Sequence, residues 1–314
     1  MKSALVVGSA GQDGRLLLAR LQAEEYSVLG IARDRVHATP VSGFRTIDIL
    51  DPAQVSDVVS EMKPDEIYYL AAFHHSSEEA REFDAAGVWQ RSFDVHVRGL
   101  LHFLEAMRAH SPRSRLFYAA SSHVFGDVAG EPQNEHTSLQ PQSIYGITKT
   151  AGLHCARFYR REHSLFAAAG ILYNHESGLR AEQFVSQKIV RAALRIRRGQ
   201  QDKLILGDLS ARADWGYAPD YVNAMRMMLR LNAADDFVVA TGETHSVQEF
   251  VETAFGVLDL DWKAHVEEKP ELIARRRAAL RGDATKLRTR TGWKPSVTFV
   301  QMVARLVKES CEQE

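Results

Sequence analysis

Five residues between positions 121 and 149 combine hydroxyl, imidazole, phenol and ammonium groups: Ser121, Ser122, His123, Tyr145 and Lys149. Tyr145 and Lys149 are four residues apart, so on a helix both side chains lie on one face and point into a single site. A free tyrosine titrates near about 10, and a cation held beside it lowers that pKa. Such a tyrosine exchanges a proton with a sugar hydroxyl while hydride is transferred at the same carbon, and a serine hydroxyl polarises the same oxygen. The five residues therefore form a predicted catalytic group.

A glycine-rich turn near the start of the chain predicts a dinucleotide site. An apolar run at 4–7 is typical of a buried parallel strand, and residues with helical spacing follow the turn. The glycines allow a tight turn, close approach of the backbone to a pyrophosphate, and close packing of helix on strand. The start of the helix offers free N–H groups to the phosphates. The predicted cofactor contacts of this turn are Gly8, Gly11, Gln12, Asp13 and Gly14.

Two charged residues end the second predicted strand, Tyr26–Ala32, and bear on the choice of cofactor. An acidic residue at this place typically holds a ribose 2′-hydroxyl, whereas an arginine suits a 2′-phosphate. Here Arg33 and Asp34 stand side by side. We predict NADP, bound through Arg33, and NAD bound through Asp34 is the alternative.

Further cofactor contacts are expected after the next strands. A third strand is predicted at Phe44–Ile49, where Asp48 is placed to take the adenine amino group, and a fourth at Glu66–Leu70. The small alanines that follow the fourth strand let the backbone lie against the cofactor. The remaining predicted cofactor residues are Asp48, Ile49, Leu70, Ala71, Ala72, Tyr145 and Lys149.

Alternating strand and helix patterns predict the fold class. Helices are predicted at Pro52–Met62, Phe93–Arg108 and Tyr145–Glu162, and the catalytic serines follow a fifth strand, Leu116–Ala120. Ligands bind at the carboxyl ends of such strands. We predict an α/β protein with a Rossmann-type, doubly wound parallel sheet in residues 1–172. A strand near 237–240 returns to that sheet, and residues 173–314 mostly form a smaller nucleotide-sugar-binding lobe.

The composition excludes several classes of protein. Of 314 residues, 39 are Lys or Arg and 40 are Asp or Glu, so no net field favours nucleic acid or a membrane surface. The two cysteines, Cys155 and Cys311, do not make a disulfide framework. The chain has no apolar run near 18 residues and no charged leader. The 13 histidines show no compact metal-ligand spacing. We expect a cytoplasmic protein without a bound metal.

Several stretches, together with the Ser, Tyr and Lys group, resemble extended short-chain dehydrogenase/reductases and, within them, the GDP-mannose 4,6-dehydratases. The likeness covers essentially the whole chain and also extends to GDP-4-keto-6-deoxy-mannose reductases. The stretches are Gly11-Gln12-Asp13-Gly14, Asn174-His175-Glu176-Ser177, Gly207-Asp208-Leu209, Asp214-Trp215-Gly216, Asp220-Tyr221-Val222, Ala240-Thr241-Gly242-Glu243 and Gly292-Trp293-Lys294-Pro295. The resemblance implies a nicotinamide cofactor, a GDP-sugar substrate and chemistry at C4 of the hexose.

One departure from the dehydratase pattern bears on the reaction. The dehydratases carry a glutamate two positions after the catalytic hydroxyl, which serves as acid and base in the 5,6-elimination, and His123 occupies that position here. Histidine also moves protons near neutral pH. Reductases keep the hydroxyl, Tyr and Lys but need no eliminating carboxylate. Three functions stay open: a GDP-hexose 4,6-dehydratase, a 4-keto-6-deoxy-hexose reductase or epimerase, and a non-catalytic nucleotide-sugar binder.

The resemblance and the positions after strand ends together indicate where substrate binds. The family's arginine before Asp-Trp-Gly is Ala213 here with Arg212 beside it, and its paired arginines after the second motif are Leu179 and Arg180. The basic run 275–277 is a further candidate for the diphosphate. The expected substrate-binding residues are His74, His75, Asn174, Glu176, Arg180, Arg212 and Arg281. The family's subunit-bridging loop is missing, so we expect a homodimer through the helices on either side of Tyr145 more than a tetramer, which stays the alternative.

Overall fold

The computed structural model describes residues 1–33, 43–73, 84–128, 132–272 and 278–312. Within these ranges the strands, in chain order, are β1 (Ser3–Val7), β2 (Ser27–Ala32), β3 (Phe44–Thr46), β4 (Glu66–Tyr69), β5 (Arg115–Ser121), β6 (Phe166–Leu172), β7 (Asn174–Glu176), β8 (Leu204–Leu206), β9 (Arg212–Ala213), β10 (Trp215–Tyr217), β11 (Asp236–Val239), β12 (His245–Ser246) and β13 (Val266–Glu268). The α-helices are α1 (Gln12–Ala23), α2 (Pro52–Met62), α3 (Ala85–Phe93), α4 (Gly99–His110), α5 (Ile144–Glu162), α6 (Val185–Arg197), α7 (Ala218–Leu229), α8 (Val247–Gly256), α9 (Trp262–His265), α10 (Thr285–Thr291) and α11 (Phe299–Glu312).

Strand β1 lies at the point where the main sheet changes direction. The strand order is β11-β6-β5-β4-β1-β2-β3, and the pairings within it are parallel. Val7, the last residue of β1, is in register with Ile31 on one side and Tyr69 on the other. Consecutive strands therefore leave β1 in opposite directions, which opens a crevice beyond the carboxyl ends of β1 and β4. The predicted doubly wound parallel sheet is confirmed.

Two separate apolar clusters stabilise the chain. The larger one surrounds the main sheet, where β1 is buried along 4–7 because helices cover both faces of the sheet. The smaller one joins α6, α8 and α11 and includes Trp215, which packs against Phe250 and Phe299. Strand β11 adds to the edge of the main sheet by parallel pairing with β6. The later part of the chain thus contributes to both clusters.

The helical region before β5 differs from its prediction. Helix is predicted from Phe93 to Arg108, but α3 already begins at Ala85, and a π-helical segment, Asp94–Arg98, separates it from α4. A π turn carries one residue more than an α turn, so it shifts the side chains that follow and often marks a functional site. Periodicity of apolar residues does not reveal such a turn. The segment packs against α5.

Helix α5, which carries Tyr145 and Lys149, has a defined start. The Ser143 hydroxyl accepts a hydrogen bond of 3.1 Å from the Gly146 N–H and caps the helix. The cap fixes the first turn, where Tyr145 lies. No helix in the described ranges is long and apolar enough to span a bilayer.

Candidate active site

The catalytic group predicted from sequence lies together at the carboxyl end of β5. Ser121 ends the strand, and Tyr145 and Lys149 lie on one face of α5. Lys149 is 2% exposed, its Nζ donates to the Ala119 carbonyl at 2.8 Å, and it lies 5.7 Å from the centroid of the Tyr145 ring. The lysine is therefore fixed between strand and helix, beside the phenol.

The charge balance of this pair differs from the sequence-based expectation. Burial lowers the pKa of Lys149 to about 7, although the Asp13 carboxylate acts in the opposite direction. Burial raises the pKa of Tyr145 to about 12, and the Arg180 charge and a Ser121 hydrogen bond only partly oppose this rise. The predicted lowering of the Tyr145 pKa by Lys149 is therefore wrong, because desolvation of the phenolate outweighs the nearby positive charge. Tyr145 therefore binds its phenolic proton more tightly than a free tyrosine does.

His123 lies in a short 3-10 turn, Ser122–Val124. Its backbone N–H donates to the Ser121 hydroxyl at 3.3 Å. The two rings meet edge to face, with centroids 5.5 Å apart and planes at 81°. The imidazole also lines a cleft of about 240 Å³. The residue that replaces the family's glutamate thus faces both the catalytic phenol and the open cleft.

The cleft brings together residues from both parts of the chain. Ser122 and His123 line one wall, and Asn174 and Arg212 line another. Asn174 is exposed at the start of β7. Arg212 forms an ion pair of 3.0 Å with Glu249, so part of its guanidinium is already engaged. The lining residues that the sequence analysis missed include Asp127, Gln142 and Ser143. Only Ser143 left a sequence signal, as the polar residue that precedes a predicted helix.

The glycine-rich turn has the shape that a dinucleotide requires. Gly8 has φ +89°, and a Cβ there would lie 2.7 Å from the Ala71 backbone nitrogen. The turn and the backbone after β4 therefore touch without side chains between them. Helix α1 follows with Gly11 as its N-cap and without a side chain that caps its N–H groups. An uncapped helix start at a glycine turn fits a pyrophosphate. Leu70 and Ala71 border this turn, and the adjacent Ala72 is exposed.

Gln12 and Asp13 bond residues at and after β7, far along the chain from the glycine turn. The Gln12 amide donates to the His175 carbonyl at 3.1 Å and accepts from the Ser177 hydroxyl at 2.9 Å. Asp13 pairs with the His175 ring at 2.9 Å. Two of the stretches that carry the family resemblance are thus bonded to each other, which the sequence did not reveal.

The other predicted cofactor residues follow strand ends. Arg33 is exposed directly after β2, and Asp34 lies outside the described residues. Asp48 is exposed, and its carboxylate accepts the Leu50 N–H at 2.9 Å. Ile49 is half-buried. Arg33 and Asp48 therefore remain accessible from solvent at the β2–β3 end of the sheet.

The remaining predicted substrate residues are spread over several positions. Glu176 is 3% exposed and bonds Ser186, and Arg180 lies 3.5 Å from it. Arg281 is exposed, with its backbone bonded to Gln133. Among the described residues, these three are not part of the cleft lining. His74, His75 and the run 275–277 lie outside the described residues.

A doubly wound sheet with a glycine turn after β1 and a Ser-Tyr-Lys group at the end of β5 defines an extended short-chain dehydrogenase/reductase. Within that class the chain belongs to the GDP-mannose 4,6 dehydratase family, whose model matches residues 5–306. The resemblance drawn from the sequence motifs is thereby confirmed.

Relatives agree with this membership, and solved structures agree with the fold. GDP-mannose 4,6 dehydratase 1 of Arabidopsis thaliana is 38% identical over 334 residues, covering 99% of this chain and 90% of the relative. GDP-mannose 4,6 dehydratase of Homo sapiens is 35% identical, with 98% and 91% covered. The chain has the fold of dTDP-glucose 4,6-dehydratase from Bacillus anthracis in complex with NAD (TM-score 0.87, 20% identity, 100% and 98% covered). It also has the fold of RMD from Pseudomonas aeruginosa complexed with NADPH (TM-score 0.83, 22% identity, 99% of each chain covered).

Proposed function

We propose that this protein is a nicotinamide-dependent enzyme that acts at C4 of a GDP-hexose, with 4,6-dehydration of GDP-mannose as its reaction. The observation that carries the proposal is the position of Tyr145 and Lys149 beside Ser121, next to a cleft that is lined by His123 and Asn174. Identity of 33–38% with GDP-mannose 4,6-dehydratases over the whole chain supports the choice of substrate and reaction.

The proton steps follow from the side chains. Tyr145 exchanges a proton with the C4 oxygen, which Ser121 holds by a hydrogen bond. A nicotinamide held by the glycine turn and the Ala71 backbone would supply the hydride acceptor for C4 and the hydride donor for C6. Neutral His123 takes the C5 proton and gives a proton to the C6 hydroxyl, which leaves as water. One imidazole can serve in both steps, because it becomes cationic in the first and neutral again in the second. The enone left by this elimination takes hydride at C6 and a proton at C5, and that proton balances the one that Tyr145 takes from the C4 hydroxyl.

The cofactor we propose is NADP. Gly8, the free start of α1 and the backbone of Ala71 would hold the dinucleotide, and Arg33 would pair with a 2′-phosphate. Arginine suits this role because its guanidinium is always charged and binds phosphate oxygens in pairs. NAD is the alternative.

Incubation with GDP-mannose and NADP tests the reaction directly. We expect mass spectrometry to find a GDP-sugar lighter by one water, with no net consumption of NADP, because the hydride is returned. An unchanged GDP-mannose mass after prolonged incubation at several pH values would exclude the dehydratase.

A 4-keto-6-deoxy-hexose reductase is the second candidate. Two observations favour it: His123 stands where the dehydratases have glutamate, and Tyr145, with its pKa raised to about 12, is present as a proton donor. A phenol that holds its proton suits delivery to a C4 keto oxygen. The intact Ser121, Tyr145 and Lys149 weigh against a non-catalytic binder. Oxidation of NADPH by a GDP-4-keto-6-deoxy-hexose, without water loss from GDP-mannose, would select the reductase.

We further propose that two copies pair through α3 and α5. Large apolar side chains are exposed there: Trp89 at 40%, Phe93 at 44%, Ile147 at 38% and Phe158 at 47%. Exposed apolar side chains concentrated on adjacent helices are typical of an association surface. A partner copy would cover them and hold the helix that carries Tyr145. The cytoplasmic location stays a prediction.

A further inference from the structure

A histidine that the sequence analysis did not single out lies directly behind the catalytic tyrosine. His96 is fully buried in the π-helical segment, Asp94–Arg98. Its ring meets the Tyr145 ring edge to face, with centroids 5.2 Å apart and planes at 88°. Tyr145 is therefore flanked by two imidazoles, His123 on the cleft side and His96 on the buried side.

The two ring nitrogens of His96 bond different elements. Nε2 lies 3.0 Å from the backbone nitrogen of Phe73, in the stretch that follows β4. Nδ1 lies 2.8 Å from the Thr148 hydroxyl on α5. The ring thus bridges the backbone next to Ala71 and Ala72, where the cofactor is proposed to bind, and the helix that carries Tyr145.

These partners fix the protonation state of the ring. A backbone N–H only donates, so Nε2 of His96 must accept from Phe73 and carries no proton. The Thr148 hydroxyl donates to the Ile144 carbonyl at 2.9 Å, so it accepts from Nδ1–H. His96 is therefore a neutral imidazole with both nitrogens engaged. A proton on Nε2 would break the bond to Phe73, so the ring is unsuited to proton transfer.

The backbone of the π-helical segment also approaches α5 closely. A Cβ at Gly152 would lie 2.7 Å from the His96 carbonyl oxygen, so only glycine permits this packing. Both the side chain and the main chain of His96 therefore set the separation between the π-helical segment and α5. This arrangement is buried, and it has no surface that a substrate contacts.

We propose that His96 is a positioning residue: it holds the backbone at Phe73, on the cofactor side, at a fixed distance from the helix that carries Tyr145. The proposal rests on the proposed function, because it assumes that a nicotinamide nucleotide lies against the Ala71–Phe73 backbone. Loss of the bridge would let that backbone move, and the nucleotide would bind less tightly to a site that is no longer preformed.

Two substitutions separate the two hydrogen bonds. The side-chain oxygen of His96→Gln reaches the place of Nε2 and still accepts from Phe73. The amide of His96→Asn reaches only the place of Nδ1, so it keeps the Thr148 contact and leaves the Phe73 N–H without its acceptor. Thr148→Val removes the hydroxyl at nearly constant volume. His110→Gln is the control, since His110 also bridges two helices, by 2.8 Å to Ser56, but at the surface.

Binding of NADPH and NADH, followed by fluorescence titration, is the primary measurement. We expect the Kd of His96→Asn to rise about tenfold, that of His96→Gln to stay within about threefold, and that of His110→Gln to equal the parent's. Thr148→Val should weaken binding about threefold, and it provides the test if His96→Asn does not fold. With a substrate that the enzyme converts, the kcat of His96→Asn should be lower than that of the parent. The shape of the pH profile of kcat should stay that of the parent.

The outcomes are distinguishable. A parent that binds neither nucleotide would overturn the proposed function and the role of His96 with it. A parent that binds, with Asn and Gln variants that bind equally well, would overturn the role of His96 alone. A shifted pH profile in the variants would show that His96 takes part in proton transfer and would also refute the proposal.

Discussion

Asp13 and His175 form an ion pair of 2.9 Å between the start of α1 and strand β7, across 162 positions of sequence. The other ring nitrogen of His175 lies 2.7 Å from the Tyr173 carbonyl. A carboxylate and a carbonyl only accept, so both nitrogens of His175 must donate, and the ring is an imidazolium. This buried cation is stacked on the Tyr221 ring at 4.5 Å. It links the glycine turn to β7, in the later part of the chain.

The ion pair should make stability depend on pH. Burial and the Arg180 charge lower the pKa of His175, but the charge and hydrogen bond of Asp13 and the Tyr173 carbonyl outweigh them and raise it above 6.5. Burial would raise the pKa of Asp13, but His175, together with Gln12 and Arg180, lowers it below 3.8. A raised histidine pKa stabilises the fold fully below pH 6.5, and this contribution is lost as pH rises through the folded value. A lowered aspartate pKa stabilises above 3.8, and this contribution is lost as pH falls through the folded value.

His175→Gln should therefore cost most stability in mildly acidic solution. We expect a loss of about 1.5–3 kcal/mol near pH 6, as for a hydrogen bond to a charged group, and a smaller loss at pH 9. Chemical denaturation of the parent and the variant at both pH values measures the difference, with the surface variant His110→Gln as control. A loss that is equal at both pH values would show that the imidazolium is not the stabilising species.

Tyr145→Phe should abolish turnover while nicotinamide binding stays within about twofold of the parent. Only the phenolic proton relay is lost, and the ring still packs between His96 and His123. Tyr159→Phe is a matched control on the same helix, because its hydroxyl bonds Glu105 outside the cleft. Turnover by Tyr145→Phe within tenfold of the parent would remove Tyr145 from the mechanism.

Arg33→Ala should weaken NADPH binding far more than NADH binding. Arg33 is exposed after β2, where it can pair with a 2′-phosphate, and loss of one charge-assisted pair costs about 1.5–3 kcal/mol. Parallel titrations with both nucleotides give the ratio, and Arg20→Ala on α1 removes an exposed arginine as control. An equal loss for both nucleotides, or a parent that prefers NADH, would assign the cofactor as NAD.

Phe158→Asp should separate the proposed homodimer. A charge on the exposed face of α5 would have to be buried without a partner on association. Light scattering after size exclusion should give the dimer mass for the parent and the monomer mass for the variant. Val300→Asp, at an equally apolar and 58% exposed position on α11, should leave the dimer intact. A monomeric parent would exclude the pairing.

Local sequence patterns sufficed to predict the elements that carry the site. The apolar run of β1 and the glycines after it each act over a few residues, so their effect can be predicted from the chain. The pKa of Tyr145 could not be predicted in this way. This pKa depends on how far the folded chain excludes water from the phenol. The spacing of Tyr145 and Lys149 in the sequence does not indicate that burial.

Long-range partners were equally hidden from the sequence. His96 bonds Phe73 and Thr148, which are 23 and 52 positions away, and only the fold brings the three together. Asp13 was predicted as a cofactor contact from its place in the glycine turn. Its bond to His175 arises because the crevice of the doubly wound sheet places β7 next to the start of α1. The turn predicts where the residue lies but not which partner it has.

Substitutions of His123 distinguish the two proposed reactions. If this imidazole replaces the eliminating carboxylate, His123→Ala should stop the loss of water from GDP-mannose while hydride removal from C4 continues, because Tyr145 and Lys149 remain. His123→Glu, which restores the group that the dehydratases carry, should then retain water loss.

If the protein is a reductase, His123→Ala should keep most of its activity on a GDP-4-keto-6-deoxy-hexose, and the parent should never release water from GDP-mannose. Mass spectrometry of both substrates with the parent and both variants distinguishes the two reactions. A parent inert on both substrates that still binds GDP-mannose would refute both and leave a nucleotide-sugar binder.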